Sequence, residues 1–198
     1  MKIGLLFGSF NPIHNGHIAI AKNVLKSGLV DKVLCIVAKQ NPFKQKYQTS
    51  FARRQQMAEI AISTLLDLGY NIEVSSIESQ MDDSRTYNVL ENIKQVYGLD
   101  NEYIIICGDD MFDQIHMWYK GDKILNNYSF IVYSRNHANP IKAPNVTPIS
   151  LPDIADISSS NIRNIIASSS DNTRLIEKLQ YVMNSRVLQY ILMFNLYR

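Results

Sequence analysis

Short apolar runs alternate with helical patterns along most of the 198 residues of this chain. Runs rich in β-branched and aromatic residues predict strands at 2–7, 32–38, 71–75, 102–107 and 128–134. Segments with apolar residues at helical spacing follow at 16–26, 50–66, 86–97 and 110–126. Strands that alternate with helices pair in parallel through right-handed crossovers and are covered by helices on both faces. The pattern therefore predicts an α/β fold of the Rossmann-like kind.

The region after the last long strand has a different character. Four prolines between residues 135 and 152 predict a loop with one short strand near 146–149. From Ser159 onward the pattern is helical nearly to residue 198. Because roughly fifty residues after the loop do not require a second hydrophobic core, we expect residues 1–198 to form one domain with a C-terminal helical region.

Charge and composition argue against several classes of protein. The formal net charge is only +2, which gives no motive for general binding to nucleic acid or to membranes. No run approaches the roughly 20 apolar residues of a transmembrane helix. The two cysteines, Cys35 and Cys107, lie in apolar strand-like runs, so we expect buried thiols and a cytoplasmic location rather than a disulfide.

The loop after the first strand, residues 8–17, has the sequence GSFNPIHNGH. Gly8 and Gly16 let the backbone approach a ligand closely, and a helix that begins near Gly16 would point free N–H groups at an anion. His14 and His17 can donate hydrogen bonds to phosphate oxygens. Two alternatives remain, a turn with structural histidines and a two-histidine metal site, although no nearby Cys, Asp or Glu offers a third zinc ligand.

A second candidate phosphate site precedes the C-terminal helical region. Ser158, Ser159 and Ser160 come directly before a helical run, so one can cap the helix and the others can face a phosphate. Arg163 lies about one turn further on and can reach the same anion with its fork of donors. An ordinary capped helix explains this segment when it is considered alone. Together with the first loop, it predicts a second phosphate-binding element.

Three further features are expected at the carboxyl edge of the sheet, where parallel sheets bind ligands. Residues 39–54 contain five basic and no acidic residues, which can close over phosphates or form a solvated surface. Gly108, Asp109 and Asp110 follow a strand, where a carboxylate can bind ribose or cap a helix. Trp118 has polar neighbours and can stack on a flat heterocycle or pack in the core.

Two of these segments resemble the signatures of the HxGH nucleotidyltransferases. Residues 7–17 resemble (T/S)-F-x-P-x-H-x-G-H, and residues 157–163 are similar to I-S-S-T-x-I-R, in the same order. The ending Asn195–Arg198 is similar to that of bacterial nicotinate-nucleotide adenylyltransferases, as are segments at 41–44, 54–57, 86–88, 108–110 and 118–119. The chain departs from that pattern at Phe43, Asn88 and Ser160, and the Asn88 difference leaves the preference for an acid or an amide substrate open.

This resemblance implies transfer of AMP from ATP to nicotinate mononucleotide, which gives deamido-NAD and pyrophosphate in NAD biosynthesis. The implied catalytic residues are His14, His17, Lys44 and Arg163. The residues implied to bind ATP phosphates are Gly8, Ser9, Phe10, Gly16, Ile157, Ser158, Ser159 and Ser160. Those implied to bind the mononucleotide are Tyr87, Asn88, Gly108, Asp110, Trp118 and Arg54.

The resemblance further implies Mg²⁺ that enters with ATP, no dedicated metal site, and no nucleic-acid or membrane partner. The oligomeric state is open and includes a homo-oligomer. The nearest alternatives are a nicotinamide-mononucleotide or dual-specificity enzyme, and a sister enzyme with another phosphate acceptor. A class I aminoacyl-tRNA synthetase fragment would need a KMSK-like segment, which the chain lacks. A non-catalytic nucleotide sensor and a nucleic-acid-binding module are the alternatives from other classes.

Overall fold

The computed structural model describes residues 1–39, 49–134, 143–150 and 157–198. Its strands are β1 (Lys2–Gly8), β2 (Lys32–Val37), β3 (Ile72–Ser75), β4 (Glu102–Gly108), β5 (Ser129–Ser134) and β6 (Val146–Ser150). Its α-helices are α1 (Asn15–Lys26), α2 (Phe51–Asp67), α3 (Thr86–Tyr97), α4 (Asp109–Phe112), α5 (Gly121–Asn127), α6 (Ser159–Ser168), α7 (Asn172–Leu179) and α8 (Ser185–Met193). Two 3₁₀ turns lie at Ile77–Gln80 and Ile115–Met117.

These strands form one parallel sheet with the order β3-β2-β1-β4-β5-β6. The order reverses at β1, which pairs with β2 on one side and with β4 on the other. In open α/β sheets a crevice forms outside the carboxyl ends of the strands at such a point. The predicted α/β, Rossmann-like class is confirmed, and the loops that follow β1 and β4 lie side by side.

Side chains of alternate strand residues divide between two hydrophobic clusters, one on each face of the sheet. Leu6 and Cys35 belong to the first cluster, whereas their neighbours Leu5 and Leu34 belong to the second. The first face is covered by α1, α2 and the C-terminal helices, which contribute Ile20, Met57, Ile162, Leu175 and Val187. The second face is covered mainly by α3 and α5. The C-terminal helical region therefore packs on the same face as α1 and α2.

The two cysteines lie inside the sheet, one in β2 and one in β4, and both are free and buried. Burial raises the pKa of each thiol to about 12, which keeps Cys35 and Cys107 protonated. The predicted pair of buried thiols is confirmed. In the described ranges, no helix has the length and apolar character needed to cross a bilayer.

The predicted single helix at 110–126 is wrong, because the segment is broken into α4, a 3₁₀ turn and α5. Lys120 takes a left-handed conformation with φ 55°. The following Gly121 packs so closely that a Cβ atom there would lie 2.0 Å from the carbonyl oxygen of Ile115. The break leaves Met117 and Tyr119 exposed on either side of Trp118.

Candidate active site

The two histidines of the first loop lie at the start of α1 and contact each other directly. His14 is the N-cap residue of the helix and is 6% exposed. Its backbone N–H donates to Nδ1 of His17 at 3.2 Å, and the two ring centroids are 3.8 Å apart. Because Nδ1 of His17 accepts this bond, a neutral imidazole carries its proton on Nε2. Nε2 of His17 is therefore the nitrogen that can donate to a phosphate.

Phe10 supports this pair from inside the protein. Its side chain is 1% exposed, and its ring meets that of His17 edge-on at a centroid distance of 5.1 Å. A Cβ atom on Gly8 would lie 2.6 Å from the Phe10 ring, so the glycine makes room for this ring. We expected Phe10 among the ATP-binding residues. The burial of its side chain leaves only its backbone for such a contact.

The second phosphate element contacts the first, although 147 or more residues separate them in the chain. Ser159 Oγ donates to the carbonyl oxygen of Pro12 at 2.9 Å. Arg163 Nη1 donates to the carbonyl oxygen of Asn11 at 2.7 Å, and its Nη2 donates to Ser160 Oγ at 3.2 Å. The structure therefore places the start of α6 against the histidine loop, as a shared phosphate site requires.

The residues at and just before the start of α6 have different surroundings. Ser158 Oγ accepts from the backbone N–H of Asn161 at 3.1 Å, so Ser158 is the serine that caps the helix. Ile157 packs its side chain against the first hydrophobic cluster. Ser160 is exposed at the first turn of the helix. The phosphate contacts expected of these residues stay predictions.

Arg54 is a buried clamp between the ends of β1 and β2. It is 1% exposed, and its Nη1 donates to the carbonyl oxygens of Ser9 and Ala38, both at 2.7 Å. Its Nη2 donates to the carbonyl oxygen of Lys39 at 3.0 Å. We expected this arginine to contact the mononucleotide. In the structure its guanidinium lies inside the protein, where it holds the two loops together, and the contact with the mononucleotide stays a prediction.

Glu78 lies in no motif that pointed to the site. Its carboxylate is 4% exposed and accepts from the backbone N–H of Lys39 at 2.7 Å. The peptide unit between Ala38 and Lys39 is thus held at its carbonyl by Arg54 and at its N–H by Glu78. Burial raises the pKa of Glu78 to about 7, although the Lys39 hydrogen bond and the charge of Arg54 oppose this shift. Glu78 therefore titrates near neutral pH.

Two neighbouring carboxylates at the end of β4, those of Asp109 and Asp110, have different surroundings. Asp109 accepts from Ser134 Oγ at 2.8 Å and from the backbone N–H of Asp110 at 2.9 Å. Asp110 itself is exposed, and a Cβ atom on Gly108 would lie 2.6 Å from its Oδ1. Asp109 therefore anchors the loop to β5. Asp110 is the carboxylate that remains accessible to a ligand.

Aromatic rings and cations gather between the start of α3 and the segment before α5. The rings of Tyr87 and Tyr119 meet edge to face with centroids 6.4 Å apart. The Arg85 guanidinium lies 3.6 Å from the centre of the Tyr119 ring, and Lys120 Nζ lies 4.3 Å from that of Tyr87. Trp118 is partly buried against the second hydrophobic cluster. Tyr87 and Trp118, both expected to bind the mononucleotide, thus lie with Tyr119 in one region that also contains two cations.

Asn88 faces an acidic partner that the sequence did not reveal. Its Nδ2 donates to Oδ2 of Asp83 at 2.7 Å. Asp83 is also paired with Arg85, whose hydrogen bonds lower the pKa of this carboxyl to about 2. Asp83 is therefore ionised at neutral pH and orients both neighbours.

Part of the predicted site lies outside the described residues. Lys44 and the other residues of the basic run at 40–48 fall there, as does much of the proline-rich stretch. Within the described ranges, no group of three His, Cys, Asp or Glu side chains is arranged to hold a metal ion.

Comparison with known proteins places the chain in a family. The cytidylyltransferase-like family model matches residues 5–165. A probable nicotinate-nucleotide adenylyltransferase from Carboxydothermus hydrogenoformans is 32% identical over 202 aligned positions, which cover 100% of this chain and 98% of that protein. A protein of the same name from Cytophaga hutchinsonii is 36% identical over 137 positions, which cover 68% and 69%.

The fold is also that of a solved relative. The structure of Plasmodium falciparum nicotinic acid mononucleotide adenylyltransferase complexed with NaAD matches with a TM-score of 0.82 at 22% identity, covering 99% of this chain and 97% of that one. At this identity the likeness shows the shared fold alone. The family match and the full-length relative go further: this chain belongs to the cytidylyltransferase-like family, and within it to the nicotinate-nucleotide adenylyltransferases.

Proposed function

We propose that this protein transfers AMP from ATP to nicotinate mononucleotide and releases pyrophosphate, as a step of NAD biosynthesis. The observation that carries the proposal is the contact between the histidine loop and the start of α6, through Ser159 to Pro12 and Arg163 to Asn11. This contact joins the starts of α1 and α6, the two candidate anion-binding elements, near the point where the strand order reverses. One site can therefore hold a nucleoside triphosphate and position it against a second nucleotide.

The reaction needs positioning and charge stabilisation more than proton transfer. The attacking phosphate of the mononucleotide is already an anion, so no general base has to generate the nucleophile. Holding the two nucleotides in line can supply on the order of 7–11 kcal/mol of the barrier. Nε2 of His17 would donate to the α-phosphate as charge develops there, and Arg163 would hold the leaving pyrophosphate.

The N-termini of α1 and α6 add to the stabilisation of negative charge at this site. Both helices begin at the site, with 12 and 10 residues respectively, and their N-terminal N–H groups carry partial positive charge. Lys44 is proposed to add a cation from the basic run. Together these groups offset the negative charge of the triphosphate.

Mg²⁺ is proposed to arrive on the phosphate oxygens of ATP. An ion bound in this way needs only one or two carboxylates from the protein, and Asp110 is exposed at the end of β4. When bound, the ion supplies charge neutralisation on the leaving pyrophosphate.

The aromatic and cationic region supports an acidic pyridine substrate. Trp118, Tyr87 and Tyr119 offer faces for a flat ring. Asp83 neutralises Arg85, so Lys120 supplies the net positive charge of the region and would attract the nicotinate carboxylate.

One observation favours a second candidate, an enzyme that accepts nicotinamide mononucleotide. The amide nitrogen of Asn88 is engaged by Asp83, which leaves the amide oxygen as an acceptor for a carboxamide substrate. The two candidates share the same chemistry at phosphorus and differ only at the pyridine ring.

The test is pyrophosphate release with ATP and Mg²⁺, with nicotinate and nicotinamide mononucleotides at matched concentrations and the His17→Ala variant as the blank. We expect a strong preference for the acid. Preference for the amide would establish the second candidate. If neither gives pyrophosphate with the wild-type protein, the chain is a nucleotide sensor or uses another acceptor.

Finally, we propose that the protein works in the cytoplasm. The support is the pair of free thiols at Cys35 and Cys107, which suits a reducing compartment.

A further inference from the structure

Asn11, in the middle of the histidine loop, has a partner from a distant part of the chain. The Tyr197 hydroxyl donates to Oδ1 of Asn11 at 2.8 Å, and both residues are buried. The two residues are 186 positions apart in the sequence. Neither belongs to the groups that we expected to touch phosphate.

This bond is one of three that hold Asn11 and Pro12 in the loop between β1 and the histidines. The carbonyl oxygen of Asn11 accepts from Arg163, and that of the next residue, Pro12, accepts from Ser159. Tyr197 alone holds the Asn11 side chain among these three donors. His14, the N-cap of α1, follows only three residues after Asn11. The position of Asn11 therefore influences where α1 begins and where the imidazole rings of His14 and His17 lie.

Tyr197 has an unusual backbone conformation and a buried side chain. Its backbone lies in the left-handed region with φ 68°, which bulky side chains disfavour. Its side chain is 7% exposed. Burial raises the pKa of its phenol to about 12, although a hydrogen bond with Thr49 and the positive charges of Arg163 and Arg54 act to lower this pKa. The phenol is therefore a neutral donor at any pH at which the protein works, so its bond to Asn11 persists.

We propose that Tyr197 is a positioning residue of the active site. Its hydroxyl fixes the Asn11 side chain, and through it the loop that presents His14 and His17 to the α-phosphate. This inference rests on the proposed function, because it assigns a role in the same reaction. The hydroxyl itself touches no reacting atom, so its loss should lower turnover by misplacing the histidines.

The direct test is Tyr197→Phe, which removes one oxygen and keeps the buried ring. Small displacements of groups that act on the transition state reduce turnover far more than they weaken ground-state binding. We therefore expect kcat to fall by roughly tenfold while KM for both nucleotides changes less than about threefold. Tyr181→Phe is the matched control, since this tyrosine is 80% exposed, and it should keep wild-type kinetics.

A double-mutant cycle with Asn11→Ala separates positioning from a loss of stability. All proteins are assayed at a temperature at which circular dichroism shows each to be fully folded. If the hydroxyl acts through Asn11, the losses in kcat from the two single changes will not add in the double variant. Unchanged kcat in Tyr197→Phe overturns the proposal, and so do additive losses.

Failure of the proposed function can be told apart from failure of this inference. The wild-type protein, assayed in parallel, reports on the function. Calorimetric titration with a non-hydrolysable ATP analogue gives a second readout, which requires no turnover. If the wild type binds the analogue but transfers nothing, a Tyr197→Phe protein with the same binding enthalpy as wild type overturns the positioning role, because the affinity is expected to stay close to that of wild type in either case. A changed binding enthalpy, absent in Tyr181→Phe, supports it.

Discussion

A single backbone hydrogen bond distinguishes the two ring nitrogens of His17. The His14 N–H occupies Nδ1, so any donation to phosphate must come from Nε2. The two nitrogens of an imidazole are not equivalent once one of them is bound. This distinction is a property of residue geometry that no sequence motif states.

The first prediction compares two amides at position 17. The side-chain nitrogen of glutamine can reach the place of imidazole Nε2, whereas that of asparagine lies near the place of Nδ1. We therefore expect His17→Gln to retain about tenfold more kcat than His17→Asn, with both far below wild type. Single-turnover rates with ATP and the mononucleotide measure this ratio. Equal rates for the two variants would show that the Nε2 assignment is wrong.

The histidines, Ser159 and Arg163 could be singled out from the sequence because they occupy short local motifs. The structure brings these two motifs into contact, and the binding of phosphate by them stays a prediction. Arg54 also lies in a motif, but the same positive charge serves equally well as a ligand or as a clamp for carbonyls. Glu78 and Tyr197 could not be assigned, because their partners are 39 and 186 positions away.

Among the elements, the segment between β4 and β5 shows where periodicity is insufficient. The apolar spacing at 110–126 fits one helix, yet close packing of Gly121 on the Ile115 carbonyl breaks it. The helices α1, α2 and α3 agree with their predicted spans within one or two residues, and Ser50 caps the start of α2. The region from Ser159 onward, predicted to be helical nearly to the end, is divided into α6, α7 and α8. The break at 110–126 lies in the local backbone conformation at Lys120 and Gly121, which the spacing of apolar residues does not encode.

The second prediction concerns the element that this break exposes. Trp118 lies between exposed Met117 and Tyr119, beside the cationic region. We expect Trp118→Ala to raise KM for the mononucleotide by roughly tenfold or more, because a stacking face is lost, while KM for ATP stays within about twofold. Initial rates at saturating concentrations of the other substrate measure both values.

Met117→Ala is the control for this element, because Met117 is 62% exposed and adjacent. It should change neither KM by more than about twofold. Equal weakening of both substrates in the Trp118 variant would assign this tryptophan to the core instead.

At the scale of the whole molecule, the buried carboxyl of Glu78 links stability to pH. Its pKa is about 7 in the folded protein, against an ordinary value of 4.5. Between these values the folded state holds a proton that the unfolded state has lost, so the free energy of unfolding falls as pH rises. The stabilisation is complete below about pH 4.5 and is lost above pH 7, with an upper limit of about 3 kcal/mol.

The third prediction is that Glu78→Gln removes this pH-dependent part of the free energy of unfolding. The difference in free energy of unfolding, wild type minus variant, should fall as pH rises from 4.5 to 7 and then stay constant. Urea unfolding at several pH values, followed by circular dichroism, gives the difference. Glu177→Gln, at an exposed helix position, should show no such trend. A Glu78 difference that does not vary with pH would mean that the carboxyl is ionised throughout.

The contacts that hold the histidine loop also constrain how the protein is made. Residues 1–17 leave the ribosome before residues 159–197, which carry the donors that hold Asn11 and Pro12. Contacts of such long sequence separation form late and slowly. During translation the chain therefore carries its histidines long before it can use them. The full set of contacts that positions the histidine loop should therefore form only after residues 159–197 have emerged.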